Sequence, residues 1–106
     1  MKKKELKRLI GLKEGYDYGE IPALEFEDTV VRSLERHGHV SRQVWVEDRG
    51  DGRGGRIDVV FNDGKDDIAI EIDRKTPRKK SRFKVKKYGQ GNAFVITRSP
   101  FGLHIP

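Results

Sequence analysis

Four residues near the middle of the chain have the types and spacing to do chemistry: Asp58, Glu71, Asp73 and Lys75. Asp58 lies in Gly55-Arg56-Ile57-Asp58-Val59-Val60-Phe61, and the other three in Ile68-Ala69-Ile70-Glu71-Ile72-Asp73-Arg74-Lys75. Both segments alternate apolar and polar positions with the period of a half-buried strand. In the second segment Ile68, Ile70 and Ile72 share one face, and Glu71, Asp73 and Lys75 share the other. Carboxylates two residues apart on a strand lie roughly 6.5–7 Å apart at Cα. Such a row is unfavourable unless a cation, a lysine or a proton neutralises it. A divalent metal beside an ammonium group is the arrangement that would need it.

The elements that must hold these residues can be read from the same patterns. Asn62-Asp63-Gly64-Lys65-Asp66-Asp67 is turn chemistry, so the two segments are expected to form a hairpin. Upstream, Pro22 suits the first turn of a helix and Gly38 suits its stop. Between them Ala23, Leu24, Phe26, Val30, Val31 and Leu34 form one face at helical period, with Glu25, Asp28, Thr29, Arg32, Glu35 and Arg36 on the other. Glu27 breaks that pattern: at ~100° per residue it projects into the apolar face beside Val30, Val31 and Leu34. There it must be paired, protonated or bound to something positive, unless a slight rotation brings its carboxylate to the rim.

The remaining elements follow. Leu6, Leu9 and Ile10 make residues 2–13 a short amphipathic helix, and Gly15 to Gly19 a loop after it. Val40, Val44 and Val46, with Trp45, predict a strand, and Asp48 to Gly55 a glycine-rich hairpin loop whose Arg49 and Arg53 could touch a nucleic-acid backbone. Thr76-Pro77 is an N-cap and first-turn pair for a helix whose inner edge is Ser81, Val85 and Tyr88 and which Gly89 to Gly91 end. Ala93 to Thr97 is a continuously apolar interior strand, and residues 98–106, with Pro100 and Pro106, read as a tail. His37 and His39 follow no closed zinc pattern and are expected to be structural or surface residues, and His104, in the tail, is assigned no role.

Composition narrows the class. A chain of 106 residues is one domain. It has no cysteine, which removes a disulfide framework and a zinc–thiolate site. No apolar run is long enough to span a bilayer and no signal-peptide pattern opens the chain, so a soluble, intracellular (cytoplasmic) protein without a membrane partner is expected. The formal net charge is +6, which favours polyanionic partners. From Arg78 to Lys87 there are seven basic residues and no acid, so the rest of the chain carries a net −1. A second basic cluster is formed by Lys2, Lys3, Lys4, Lys7 and Arg8. A local basic footprint thus lies beside an acidic row.

At this point the chain resembles the PD-(D/E)xK nuclease superfamily, over roughly residues 20–97, in its half-motifs and in its order of elements. The resemblance implies an α/β fold: a restriction-endonuclease-like core, α-β-β-β-α-β, with a mixed sheet flanked by helices. It implies that Asp58 matches the family's first Asp, Glu27 its helical acid, and the Glu71–Lys75 row its second half-motif. Ile57 stands where the family's Pro would be. Two registers are open: Asp73-Arg74-Lys75 is the literal Asp-x-Lys, whereas Glu71-Ile72-Asp73 lies deeper in the apolar strand, where the motif normally sits, with Lys75 reaching back from the strand end. In either register the catalytic set is Glu27, Asp58, Glu71, Asp73 and Lys75, with Asp58, Glu71 and Asp73 holding Mg²⁺, for which Mn²⁺ can substitute.

The implied function is a Mg²⁺-dependent DNA endonuclease that selects structure rather than sequence. Arg78, Lys79, Lys80, Arg82 and Lys84 would grip backbone phosphates in salt-sensitive contacts. Charge alone leaves RNA open as a partner. A module of this size offers little surface to a duplex, so a homodimer is expected. The competing reading is a catalytically weak or inactive nucleic-acid-binding module of the same fold in a larger assembly. A further rival is a domain whose charges serve an acidic protein partner.

Overall fold

A computed structural model describes residues 1–48, 52–89 and 92–106 of the chain. The two apolar stripes near the start become helices α1 (Lys3–Ile10) and α2 (Ala23–Glu35). The strands are β1 (His39–Val46), β2 (Gly55–Asn62), β3 (Asp67–Asp73), β4 (Ala93–Arg98) and β5 (Phe101–His104), with α3 (Lys79–Gly89) between β3 and β4. They form one mixed sheet in the order β1-β2-β3-β4-β5, antiparallel throughout except for the parallel β3–β4 pair. That parallel pair needs a crossover, and α3 is the crossover helix. The chain is thus an α/β domain with a five-stranded mixed sheet and three helices. Among the described residues no helix is long and apolar enough to cross a membrane.

The sheet separates two cores. On one face α1 and α2 bury Leu6, Ile10, Phe26, Val30 and Leu34 against Val59, Phe61, Ile68, Ile70, Phe94, Ile96, Phe101 and Leu103. On the other, α3 sets Val85 against Ile57, Val60, Ala69, Ala93 and Val95. Burial on both faces explains why β4 reads as an unbroken apolar run. The hairpin turn forms as its composition dictates: Asp63 Oδ1 accepts the amides of Lys65 and Asp66, and Asn62 Oδ1 accepts that of Gly64. Gly38, expected as a helix stop, has another duty. α2 ends three residues earlier, and a methyl group built on Gly38 would lie 2.1 Å from the Asn62 carbonyl oxygen, so the chain needs glycine to turn tightly into β1.

The expected tail over 98–106 is a strand. Phe101 and Leu103 enter the α1–α2 core, 1% and 2% exposed, and the strand pairs with β4 from Val95↔His104 to Arg98↔Phe101. Pro100 sits in the turn, where its missing amide breaks no ladder bond, and its carbonyl accepts the Thr97 hydroxyl. The outer edge of β5 is covered too: Gly15 N–H donates to the Phe101 carbonyl and Phe101 N–H to the Tyr16 carbonyl, each at 2.8 Å. Phe101→Ala should therefore cost about 3–5 kcal/mol, measured by urea unfolding. A loss below about 0.5 kcal/mol would return these residues to the status of a tail.

Candidate functional site

The site begins where the β2–β3 ladder stops. Pairing runs from Asn62↔Asp67 to Val59↔Ile70 and ends there. One step further on, two side chains replace the backbone bonds. The Asp58 amide donates to Glu71 Oε2 at 2.7 Å, and the Ile72 amide donates to Asp58 Oδ2 at 2.9 Å. Each strand therefore supplies a carboxylate to an amide of the other. These are charge-assisted bonds to groups that the ladder would otherwise have satisfied.

A slip in β1 and β2 opens this fork. In β2, Ile57 belongs to the α3-side core and Val59 to the α2-side core, so strict alternation fails across Asp58. In β1, Arg42 reaches α2 while Val44 packs on the α3 side, so alternation fails across Gln43 as well. Gln43 takes up the change with φ +52°, a left-handed conformation that costs a side-chain-bearing residue on the order of 1 kcal/mol. Its amide Nε2 lies 3.4 Å from Asp58 Oδ1. β3 keeps its alternation, and so the strands diverge.

Glu71 is 2% exposed and faces α3, where its Oε1 meets Lys84 Nζ at 2.6 Å. Lys84 also donates to the Arg56 carbonyl at 2.7 Å. Burial and the neighbouring Asp58 charge push the Glu71 carboxyl up to about 7, against the opposing pull of Lys84 and the Asp58 amide. Asp58 opens to the other side, into a depression of about 300 Å³ that it lines with Glu27, Gln43, Ala23, Leu24 and Ile72. Glu27 is paired, as its place on the apolar face demanded: Arg42 donates to its Oε2 from Nε at 3.0 Å and from Nη2, and binds Asp28 at 2.7 Å through Nη1.

Asp58 is thus joined to Glu71 through the fork and shares the depression with Glu27. Asp73 and Lys75 take part in neither arrangement. Asp73, 4% exposed, accepts from the Arg78 amide at 2.8 Å, from Arg78 Nε at 2.9 Å and from Ser81 Oγ at 3.0 Å. It anchors the start of α3, the place expected for Thr76-Pro77, and an anion suits that end of a helix. Lys75 lies exposed, two residues past the end of β3. The ammonium that faces Glu71 comes from α3 instead. Lys84 had been expected on the phosphate-gripping face, yet its side chain is only 13% exposed. The helix period carried that signal, because Lys84 falls between Ser81, Val85 and Tyr88 on the inner stripe. Nothing in the sequence marked Gln43.

Of the remaining expected phosphate contacts, Arg78 is tied to Asp73, while Lys79, Lys80 and Arg82 are exposed on α3 with Lys86 and Lys87. Lys87 is within 3.1 Å of Asp48, and Lys79 lies over the exposed Phe83 ring at 5.5 Å. Arg49 lies outside the described residues, and Arg53 is described within the loop entering β2. His104 packs against Thr97, with Nε2 at 2.9 Å from Oγ1, and burial lowers its pKa.

Among the described residues no group of three or more His, Cys, Asp or Glu side chains stands ready to hold a metal ion. The donor set at the fork is smaller: the carboxylates of Asp58, which opens to the depression, and Glu71, which faces α3, and the protein partners of both are hydrogen-bond donors. It fits a Mg²⁺ ion of the kind held by one or two carboxylates, with water and phosphate oxygens completing the shell. Asp73 stands apart from that pair, because it accepts from Arg78 and Ser81 at the start of α3 rather than from the fork. No family model, no curated protein and no solved structure matches the chain.

Glu71 makes stability pH-dependent in metal-free protein. Its folded pKa lies above the unfolded reference of 4.5, so between 4.5 and about 7 the folded state binds more protons than the unfolded state. Stability should fall as pH rises through that window, by on the order of 3 kcal/mol, and Glu71→Gln should flatten the profile. Urea unfolding in EDTA across that range measures it. A flat wild-type profile would mean that Lys84 and the Asp58 amide already keep the carboxylate charged in the fold.

Proposed function

We propose that the chain is a Mg²⁺-dependent endonuclease of the restriction-endonuclease-like fold, acting on DNA. The observation that carries this reading is the strand fork itself. Two carboxylates from adjacent strands each accept a backbone amide of the opposite strand, Glu71 that of Asp58 and Asp58 that of Ile72, with a nearly buried ammonium on Glu71. Purely structural acids would not need this arrangement, since a continued ladder would satisfy the same amides without charge.

Hydrolysis of a phosphodiester requires a water to attack phosphorus, a proton to leave that water, and the departing oxygen to leave with the bonding electron pair. Mg²⁺ at Asp58 and Glu71 would supply acidified water and charge neutralisation at the phosphate. The protein's own residues do the rest. Asp58 and Glu71 are fixed by the Ile72 and Asp58 amides, so they need no reorganisation as charge develops. Lys84, tethered between Glu71 and the Arg56 carbonyl, offsets the two negative charges and can stabilise charge on the phosphate oxygens. Glu27, held by Arg42, lines the depression beside Asp58 and can orient water there. The exposed cations of α3, Lys79, Lys80, Arg82 and Lys86, supply sequence-independent contacts to flanking phosphates.

The scaffold reading has one observation in its favour: the third acid of the row, Asp73, belongs to the start of α3 rather than to the fork. Plasmid cleavage separates the two readings. With Mg²⁺ or Mn²⁺ the wild type should nick or linearise supercoiled DNA, and Asp58→Asn and Glu71→Gln should abolish this. Lys84→Met should lower the rate roughly a hundredfold or more, whereas Lys75→Ala should change it less than threefold (about 0.5 kcal/mol). DNA binding without cleavage in either metal would leave the scaffold. Full activity in Glu71→Gln would remove the fork from the chemistry.

A further inference from the structure

Trp45 is the chain's one tryptophan, and it is 62% exposed. Its neighbours Val44 and Val46 pack into the α3-side core, so strand alternation turns Trp45 to the opposite face. That is the face on which Arg42 meets Glu27 and on which Gln43, Asp58 and Glu27 line the acidic depression. Leu24 adds a second exposed apolar side chain, 66% exposed, at the same depression.

The ring is also seated. A methyl group built on Gly54 would lie 2.4 Å from Trp45 Cη2 and 2.5 Å from Cζ2, so the indole rests directly on glycine backbone. Any side chain at position 54 would displace it. One side of the indole is thereby covered and the ring held, while most of its surface stays open to solvent. Directly across the ladder, Trp45 pairs with Arg56, which is exposed, and cross-strand neighbours hold their Cβ atoms about 4.5–5.5 Å apart.

A large exposed indole is ordinarily unfavourable on a surface this rich in charge. With Arg56 across the ladder, it suits an occupant that is planar and apolar on its faces and negatively charged at its edge. A nucleotide has that chemistry: a base to stack on the ring and a phosphate for Arg56. In a duplex the base faces are already stacked on one another, so only an unpaired base can lie on this ring. We propose that Trp45 is a stacking platform for an unpaired nucleobase beside the Asp58 depression, which makes the substrate class nucleic acid with single-stranded character. The inference rests on the nucleic-acid reading above and narrows it to gapped, flapped, branched or single-stranded forms.

As the only tryptophan, Trp45 reports on itself. Its fluorescence is followed in EDTA, where no cutting occurs, as wild-type protein is titrated with a short single-stranded oligonucleotide, an abasic strand of equal length, a dumbbell duplex closed at both ends by non-nucleotide linkers, and poly-glutamate. The single strand should quench the emission, and the abasic strand and dumbbell should bind without quenching. Trp45→Ala should weaken single-strand binding roughly tenfold or more and leave dumbbell binding unchanged, while Trp45→Phe keeps most of the affinity. Asp58→Asn should quench as the wild type does, so loss of cleavage and loss of stacking are read separately.

Equal quenching by the abasic strand or the dumbbell would overturn the platform, as would a Trp45→Ala protein with undiminished single-strand affinity. Quenching by poly-glutamate would assign the surface to an acidic protein. An emission change that follows protein concentration without any ligand would assign it to a second copy of the chain. Absence of binding to every nucleic acid would sink this inference and the endonuclease together.

Discussion

The exchange of carboxylate–amide bonds between β2 and β3 is the constraint on which the rest of the site depends. The ladder ends at Val59↔Ile70, and the next amides of both strands would lose their partners as the strands part. Glu71 and Asp58 accept those amides, so the fork is stable only with both acids in place. Removing either one strands a donor, at a cost of about 1–3 kcal/mol. The acids of the proposed site are therefore also part of what holds the two strands together. Backbone donors hold both carboxylates, and Lys84 opposes the burial that pushes the Glu71 carboxyl up to about 7.

That arrangement explains α3 better than its charge density does. Its basic residues divide by helix face into two populations. Arg78 binds Asp73 at the helix start, and Lys84 reaches Glu71 and the Arg56 carbonyl, so these two fasten α3 to β2 and β3. Lys79, Lys80, Arg82 and Lys86 face solvent and leave a positive exterior. This segment thus pairs with Asp73 and Glu71 on its inner side and leaves a positive field on its outer side. Neither duty would survive a rotation of the helix, and the burial of Ser81 and Val85 fixes that rotation.

On the opposite face the first and last elements of the sheet domain close the core on each other. Phe101 from β5 lies near Phe26 of α2 and Tyr18 of the preceding loop, with ring centroids 6.4 Å and 6.0 Å away. Arg98 Nη1 donates to the Gly19 and Ile21 carbonyls, and Asp17 accepts the Ser99 hydroxyl. These bonds set the start of α2, and hence Glu27, relative to the sheet. The depression beside Asp58 is in this way positioned partly by residues at the far end of the sequence.

The sequence by itself determined the element types, because each depends on period. The strands β2 and β3, the alternation of β3, the stripe of α2, the turn at Asn62–Asp67 and the apolar run of β4 all read correctly. It also marked Glu27 as an acid that burial would force into partnership, and Glu71 as one of a row that needed neutralising. It misread residues 98–106, because two prolines weigh against a strand until one of them is seen to occupy a turn. Tertiary structure alone decided who the partners are. Lys84 rather than Lys75 faces Glu71, since β3 ends at Asp73 and helix packing brings the later lysine inward. Asp73 serves α3, since the crossover places the helix start directly over it. Gln43 and Trp45 reach the acidic face because β1 and β2 slip their alternation together, a change in backbone path that no residue pattern announces.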